Sequence, residues 1–233
     1  MKKLLIILLI AISTFSYAQT GHYYPADRYS NSLISDLCQD KYGNIWIATD
    51  YGLNKFDGYQ FTSYLHDDTD STSICSNAVV ELLCDSKGRL WVGTNRGLDL
   101  YNDDLNAFIH YKFPADVRPR ISDVVELSDG RILFCTAGYG TFVIGEYNVL
   151  KTTEEISADA NDKFFSYAYV DSKNRFWKGA YNNSLLMKAD GKFHSFVSTV
   201  GSPVGIVERA DEILIVCLHG IMSYKNGKMQ ESD

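Results

Sequence analysis

The sequence predicts an all-β fold in which four-stranded antiparallel sheets are arranged radially as the blades of a β-propeller. Three observations support this prediction. A motif that contains tryptophan returns about every forty residues. The residues around each tryptophan are apolar and β-prone, and tight-turn signals separate the short apolar runs. Repeats of this length with strand chemistry are typical of propeller blades.

The clearest repeat runs from Asp40 to Leu53 and returns from Asp85 to Leu98. Weaker copies follow around residues 129–140, 171–180 and 213–221. The tryptophan-equivalent positions give the centres of the predicted blades, which are Trp46, Trp91, Leu133, Trp177 and Leu214. We therefore expect about five blades, with a closed five-bladed ring as one possible arrangement.

A tight turn precedes each tryptophan strand. In the clear copies an aspartate opens the turn and can hydrogen-bond the backbone, and a glycine supplies the positive φ that closes it. These residues are Asp40, Gly43, Asp85 and Gly88. Asn174 replaces the glycine in the fourth copy, and asparagine also tolerates this conformation. The third copy is expected to shorten the turn to the two residues Asp129-Gly130. Asp171 opens the fourth turn, and we expect these repeated aspartates to be structural.

The tryptophan strand itself is apolar on both faces, as in Ile45-Trp46-Ile47. A half-exposed strand would alternate apolar and polar residues, so both faces of this strand must be buried between packed sheets. We expect Trp46, Trp91 and Trp177 to pack between blades as large apolar wedges. Gly52 and Gly97 end the loop that follows this strand.

The beginning of the chain reads as a separate unit. Two lysines open it, an uninterrupted apolar run covers residues 4–12, and Ser16 and Ala18 are small residues of the kind that signal peptidases read. This arrangement is typical of a secretory signal peptide. We predict a signal peptide over residues 1–18, cleaved after Ala18, and a propeller domain over residues 19–233. The apolar run is short for a membrane span, and an uncleaved anchor is the alternative.

Five cysteines are present, and export would permit disulfides. The count is odd, the spacing does not match a paired framework, and the absence of C-x-x-C gives no support to a zinc or redox site. We expect Cys38, Cys135 and Cys217 to act as small apolar residues within strands. Cys75 lies in a loop and is expected to be the most exposed. Cys84 completes the set.

Composition and motifs exclude several classes of function. The formal charge is -7, which argues against nucleic acid as a partner because no basic patch would neutralise its phosphates. The five histidines show no metal-ligand spacing, and no nucleophile motif such as G-x-S-x-G occurs. We therefore predict no catalytic residues, no metal and no cofactor.

The string D-x-x-G-x-[IL]-W-[IV]-[AG]-T-x-x-G-L, read from Asp40 to Leu53 and from Asp85 to Leu98, resembles the two-component regulator propeller repeat. The resemblance covers most of the chain after the signal peptide. It implies the periplasmic sensor region of hybrid two-component histidine kinases, mainly of Bacteroidota. Such sensors commonly detect oligosaccharides, and full-length members are usually homodimers.

The resemblance also implies what this chain lacks. Fuller members carry two seven-bladed propellers, a small β-sandwich, a membrane helix, a kinase and a response regulator. No kinase phosphoacceptor segment or Gly-rich nucleotide-binding region occurs here. The chain is therefore expected to be an incomplete seven-bladed propeller that senses a ligand and is not itself an enzyme.

The loops that follow the tryptophan strands form the predicted ligand face. Antiparallel strands alternate in direction, so these loops and the long return loops between blades lie on one face of the disc. Aromatic rings can stack on a sugar while amides and charged groups bond its hydroxyls. The candidate residues are Asp50, Tyr51, Asn95, Arg96, Tyr139, Tyr181, Asn182 and His219. The alternative is that these are solvated turn residues.

Two other functions stay open at this stage. The chain could be a propeller glycosidase or lyase, although glycoside cleavage requires two convergent carboxylates. It could also be a protein-interaction scaffold at the cell surface.

Overall fold

The computed structural model describes residue 30 and residues 33–113, 117–144, 150–152 and 165–232. In these residues the regular elements are strands, which form five separate four-stranded antiparallel sheets. The predicted signal peptide and its cleavage site lie outside the described residues. No helix in the described part of the chain is long and apolar enough to cross a membrane.

Each sheet is one blade, built from four strands that follow one another along the chain. The first two blades contain β1 (Ile34–Gln39), β2 (Ile45–Thr49), β3 (Gly52–Phe56), β4 (Phe61–Tyr64), β5 (Val79–Cys84), β6 (Leu90–Thr94), β7 (Gly97–Asn102) and β8 (Ala107–His110). The third contains β9 (Ile121–Glu126), β10 (Ile132–Thr136), β11 (Gly140–Ile144) and β12 (Leu150–Thr152). The last two contain β13 (Phe165–Val170), β14 (Phe176–Ala180), β15 (Ser184–Ala189), β16 (Lys192–Val197), β17 (Pro203–Arg209), β18 (Glu212–Cys217), β19 (Gly220–Lys225) and β20 (Lys228–Glu231).

The blades pack in sequence order through their first strands, so that β1, β5, β9, β13 and β17 lie side by side. Within every blade each strand is paired only with its sequence neighbours. The fold predicted from the repeat is therefore confirmed. Local pairing within a blade, followed by packing between consecutive blades, is the arrangement expected of a propeller.

The apolar core consists of layers between neighbouring blades. Trp46 is buried against the second blade, where its ring lies 4.8 Å from that of Tyr101. Trp177 is buried against the fifth blade, 5.1 Å from the ring of Tyr224. Trp91 is also fully buried, in the layer between the second and third blades. The predicted role of the three tryptophans as wedges is confirmed.

The two end faces of this row of blades are more open. Leu37 is 61% exposed, whereas Leu82, at the same position in β5, is 5% exposed. Ile221 is 41% exposed, whereas Leu53, at the same position in β3, is fully buried. Leu214, the tryptophan equivalent of the fifth blade, is only half-buried. The described blades therefore match an incomplete propeller better than a closed five-bladed ring.

The repeated aspartate has a specific partner in the structure. The Asp40 carboxylate accepts a hydrogen bond from the indole Nε1 of Trp46 at 2.8 Å. Trp91 donates in the same way to Asp85 at 2.9 Å. The same bond joins Trp177 to Asp171 at 2.8 Å. The other oxygen of each aspartate accepts backbone N–H groups two and four residues later. The motif thus joins the turn to the core wedge, and the structural role predicted for these aspartates is confirmed.

The turn glycines have the predicted conformation, with φ of 88° at Gly43 and 73° at Gly88. Asn174 takes their place with φ of 63°. Positive φ is costly for most side chains, and asparagine is among the residues that tolerate it best. The substitution in the fourth copy therefore keeps the turn intact, as predicted.

The third blade corrects one prediction. Its turn is not shortened, because Leu127–Arg131 joins β9 to β10 just as Asp85–Arg89 joins β5 to β6. The amide of Leu127 donates to the carbonyl of Arg131 at 2.8 Å. Leu127 therefore stands where the other turns have aspartate, and Leu133 stands where they have tryptophan. Asp129 lies two positions further along and pairs with Arg131 instead.

Candidate functional site

The eight predicted ligand-face residues all lie in turns between the second and third strands of the blades. These turns leave the same end of the second strand in every blade, because all five sheets have the same strand order. The structure therefore places the residues in equivalent turns along one edge of the propeller; their role in ligand binding stays a prediction. All eight are exposed: Asp50, Tyr51, Asn95, Arg96, Tyr139, Tyr181, Asn182 and His219.

The backbone of this turn edge is held firmly while its side chains point to solvent. Thr49 Oγ1 accepts the amide of Tyr51 at 3.2 Å, and Thr94 Oγ1 accepts the amide of Arg96 at 3.1 Å. Ser76 Oγ donates to the side-chain oxygen of Asn95 at 2.6 Å. The result is a row of exposed aromatic and polar groups on a rigid support, which is the usual construction of a binding surface.

A cleft of about 370 Å³ opens beside this edge, at the return loops of the second blade. Of the eight predicted ligand-face residues, Arg96 lines this cleft. Buried Tyr111 and Phe113 give it an apolar side. Its charged rim combines acidic groups from the loop between β4 and β5 with basic groups from the loop between β8 and β9: Asp67, Asp68, Asp70, Lys112 and Arg118. The volume lies within the range of small-molecule sites.

Asp99 lines the cleft and is fully buried. Its Oδ1 lies 2.7 Å from His110 Nδ1, and its Oδ2 accepts the amide of Cys75 at 2.8 Å. The other ring nitrogen of His110, Nε2, lies 3.0 Å from the carbonyl oxygen of Ser71. The Asp99 carboxylate, mainly through this hydrogen bond, raises the pKa of His110 above its usual value. A protonated His110 ring can donate one hydrogen bond to the Asp99 carboxylate and one to the Ser71 carbonyl, and its positive charge lies next to the buried carboxylate.

The same three side chains could also be considered as metal ligands. The ligand atoms of Cys75, Asp99 and His110 lie within 4.8 Å of one another. Burial raises the pKa of the Cys75 thiol, however, and a metal would need the thiolate. Both His110 nitrogens already face oxygen acceptors. The hydrogen-bonded ion pair therefore accounts for this cluster better than a metal site does.

A second set of titratable groups lies on the first strands of three successive blades. Asp36, Glu81 and Asp123 occupy equivalent positions, opposite Ala48, Gly93 and Cys135. Burial, reinforced by the charges of Asp123 and Asp36, raises the pKa of Glu81 to about 10. Burial raises the pKa of Asp123 to about 7, although the amides of Ala168 and Val124 oppose this shift by donating to its carboxylate.

The structure therefore adds two clusters that the sequence interpretation missed. His66 and His110 occupy similar places in neighbouring blades, and the sequence showed no metal-ligand spacing among the histidines. Both nevertheless line the cleft, together with the acidic pair Asp67 and Asp68. The only signal in the sequence was their position at the ends of fourth strands, next to a long return loop. The expected exposure of Cys75 is also wrong, since Cys75 is half-buried, as are Cys38 and Cys84.

Comparison with known proteins supports the repeat assignment. The two-component regulator propeller family model matches residues 28–51 and 73–96. A histidine kinase P4 of Formosa agariphila is 48% identical over 52 residues, a match that spans 22% of this chain and 4% of the kinase. The resemblance predicted from the sequence is confirmed for these segments, which carry the two clear copies of the motif.

Solved propellers share the fold over most of the chain. The extracellular domain assigned to the hybrid two component system BT3049 of B. thetaiotaomicron has a TM-score of 0.77 at 20% identity, over 90% of this chain and 31% of that one. The virginiamycin B lyase of Staphylococcus aureus has a TM-score of 0.69 at 18% identity, over 86% of this chain and 70% of the lyase. This chain thus spans about a third of the extracellular domain that it resembles.

Proposed function

We propose that this chain, which carries two-component regulator propeller repeats, is the ligand-sensing part of an exported hybrid two-component regulator. The observation that carries the proposal is the match of the family model to both clear copies of the repeat. The shared fold with an extracellular domain of a hybrid two component system supports it. The kinase output would reside in another part of the full protein.

The proposed ligand is an oligosaccharide. Tyr51, Tyr139 and Tyr181 expose their rings along the turn edge, where a sugar could stack on them. The cleft beside this edge adds Arg96 and Arg118 as hydrogen-bond donors for hydroxyl or acidic groups. Rings next to charged and amide groups on a rigid edge favour a polar, ring-shaped ligand over an apolar one.

A binding assay tests this proposal. Oligosaccharides released from several polysaccharides are screened by thermal shift, and hits are titrated calorimetrically. We expect Tyr51→Ala with Arg96→Ala to weaken a hit at least about tenfold, since the tyrosine ring contributes about 1 kcal/mol, an arginine hydrogen bond adds about 0.5 kcal/mol or more, and about 1.4 kcal/mol is tenfold. Tyr59→Ala is the matched control, because this exposed tyrosine lies in the turn between β3 and β4, at the opposite edge. Unchanged affinity in the double variant would exclude the turn edge as the site.

Location and assembly form a second part of the proposal. The predicted signal peptide and the extracellular location named for a solved relative support export to the periplasm. If two propellers pack together in a homodimer, a ligand that binds one packing arrangement more tightly would increase the population of that arrangement. Light scattering of the full-length regulator with and without the ligand measures this assembly.

A lyase activity is the second candidate, because virginiamycin B lyase shares the fold over most of this chain. The relevant observation is the His110–Asp99 pair in the cleft, which resembles an acid–base arrangement. Incubating each bound oligosaccharide with the chain and analysing the products by mass spectrometry separates the two functions. Binding without cleavage supports sensing, and new products that disappear with His110→Asn support the lyase.

A further inference from the structure

Two cysteines meet at the junction between the first and second blades. Cys38 lies on β1, and Cys84 is the last residue of β5. Their Sγ atoms are 2.6 Å apart. This separation is only about 0.6 Å more than the length of a disulfide bond. Both residues are half-buried, so the pair lies in the interblade layer but stays within reach of a small molecule.

Hydrogen bonds between β1 and β5 hold the two sulfurs close to each other. Ser35 Oγ donates to the carbonyl of Val79 at 2.7 Å. The amide of Leu82 donates to the Asp36 carboxylate at 2.8 Å. These contacts bind β1 to β5 just before the cysteines and hold the strands in one register. The two thiols therefore face each other because of the way the blades pack, and only small side-chain movements would join them.

The pair is specific to this junction. The positions equivalent to Cys38 and Cys84 can be read from the strand registers. At the other three junctions between described blades they are Leu83 with Glu126, Val125 with Val170, and Tyr169 with Glu208. The other junctions therefore pack with ordinary apolar and polar side chains at these two positions. Two thiols are an addition to the repeat and need their own explanation.

We propose that Cys38 and Cys84 form a disulfide that fastens the first blade to the second in the exported protein. The oxidising environment that this requires rests on the export in the proposed function. The oxidant is a protein or small-molecule disulfide. The Cys84 thiolate attacks it and releases one thiol, and Cys38 then attacks Cys84 and releases the second. The oxidant thus accepts two electrons, and the protons of Cys38 and Cys84 end on the two released thiols.

The electrostatics of the pair suit this order of attack. A hydrogen bond from the Cys38 thiol lowers the pKa of Cys84, although burial opposes this effect. The same interaction, together with burial, raises the pKa of Cys38. The thiolate is the nucleophile in disulfide exchange, so Cys84 reacts first and Cys38 completes the bond.

The bond would stabilise a blade at one end of the described row. Among the described residues, the first blade packs against the second through β1 and β5, and Leu37 is exposed on its other face. The disulfide would close a loop between residues that are 46 positions apart, and this loop contains the remaining strands of the first blade. Cross-linking such a loop restricts the unfolded chain and favours the folded state.

Oxidation of the purified full chain tests the proposal without any ligand. The reduced protein is incubated in a glutathione redox buffer, free thiols are alkylated, and a non-reduced digest is analysed by mass spectrometry. We expect a cross-linked peptide pair joining Cys38 to Cys84, with Cys75, Cys135 and Cys217 alkylated. We also expect reductant to lower the Tm of the oxidised protein by roughly 4–12 °C. Full alkylation of both residues after oxidation would overturn the proposal.

Two variants separate the bond from general effects of thiols. Cys84→Ala should melt at the same temperature with and without reductant, whereas Cys75→Ala should keep the reductant sensitivity of the parent chain. If Cys84→Ala does not fold, the peptide analysis of the parent chain still decides the question. Failure here would leave the proposed sensing function untouched, because the assay includes no oligosaccharide. Failure of the binding assay would equally leave the disulfide result standing.

Discussion

Two sets of carboxylates repeat along this chain, and the blades place them in opposite environments. Asp40, Asp85 and Asp171 lie in the turns between the first and second strands, where indole and backbone N–H groups surround them. The second set lies on the first strands themselves and comprises Asp36, Glu81 and Asp123. Each set occupies an equivalent position in three of the five described blades, yet the surroundings of the two sets differ.

The difference lies in what compensates for burial. Burial alone would raise the pKa of Asp85, but hydrogen bonds from Trp91 and Arg89 outweigh it and lower that pKa. Around Glu81, by contrast, the carboxyl groups of Asp36 and Asp123 add to the effect of burial, and all of them raise its pKa. Buried carboxylates that accept several N–H bonds stay ionised, whereas those beside like charges keep a proton. A carboxyl group is therefore held in its ionised form at Asp85 and in its protonated form at Glu81.

The sharpest test of this comparison is removal of a turn aspartate. Asp85→Ala leaves the buried Nε1 of Trp91 and two backbone amides without their acceptor. We expect the free energy of unfolding to fall by about 3 kcal/mol. Asp129→Ala, in the equivalent turn of the third blade, removes an exposed ion pair and should change stability by less than about 0.5 kcal/mol. Urea denaturation of both variants measures the difference, and equal losses would contradict the role assigned to the indole bond.

The next test neutralises a first-strand carboxyl. The folded-state pKa of Glu81 is raised to about 10, whereas in the unfolded chain it is about 4.3. Between these values the folded state holds a proton that the unfolded state has lost, so stability falls as pH rises. Glu81→Gln removes this loss. At pH 8 the variant should be more stable than the parent by more than about 1.4 kcal/mol, the equivalent of one pKa unit.

The control for this test is Asp104→Asn, which changes an exposed loop acid. Denaturant titrations between about pH 5 and 9 should show a flatter profile for Glu81→Gln and an unchanged profile for Asp104→Asn. A parent chain whose stability rises over this interval, with Glu81→Gln following it, would show that Glu81 is ionised in the folded protein.

Asp99 represents a third solution, a buried carboxylate neutralised by a histidine, and it should give the smallest effect. The folded pKa of His110 is raised, so its stabilising contribution is complete below the unfolded value of about 6.5 and is lost as pH rises through the folded value. The His110 ring is partly exposed, which keeps the expected contribution below about 1 kcal/mol. Parent minus His110→Asn stability should therefore be larger at acidic than at alkaline pH, and exposed His194→Asn serves as the control.

The sequence supported the prediction of turns and wedges because their interactions are local. Asp85 and Trp91 are six residues apart, so the motif contains both partners of the hydrogen bond. The third blade shows the limit of this reasoning. Leu127 and Leu133 replace both partners together, and Asp129 nearby mimicked a shorter turn. The wrong prediction of a two-residue turn at Asp129-Gly130 arose because the sequence does not show whether a turn aspartate accepts a hydrogen bond from an indole.

The candidate site was predictable only in part. The turn edge followed from strand alternation, so Tyr51 and Tyr181 could be placed on one edge from the repeat alone. The cleft could not be placed, because its residues come from separate loops and meet only after the blade has folded. His110 and Asp99 show this plainly, since their ion pair joins two strands and depends on the burial of Asp99.

By itself the sequence determined the blade, because the Asp–Trp turn, the apolar strand and the glycine that closes each loop are all encoded within one repeat. Only the tertiary structure decided which side chains of neighbouring blades come into contact and how deeply they are buried. The distance between Cys38 and Cys84 and the raised pKa of Glu81 both arise at junctions between first strands. Residues of different repeats meet there, and burial changes what their chemistry can do.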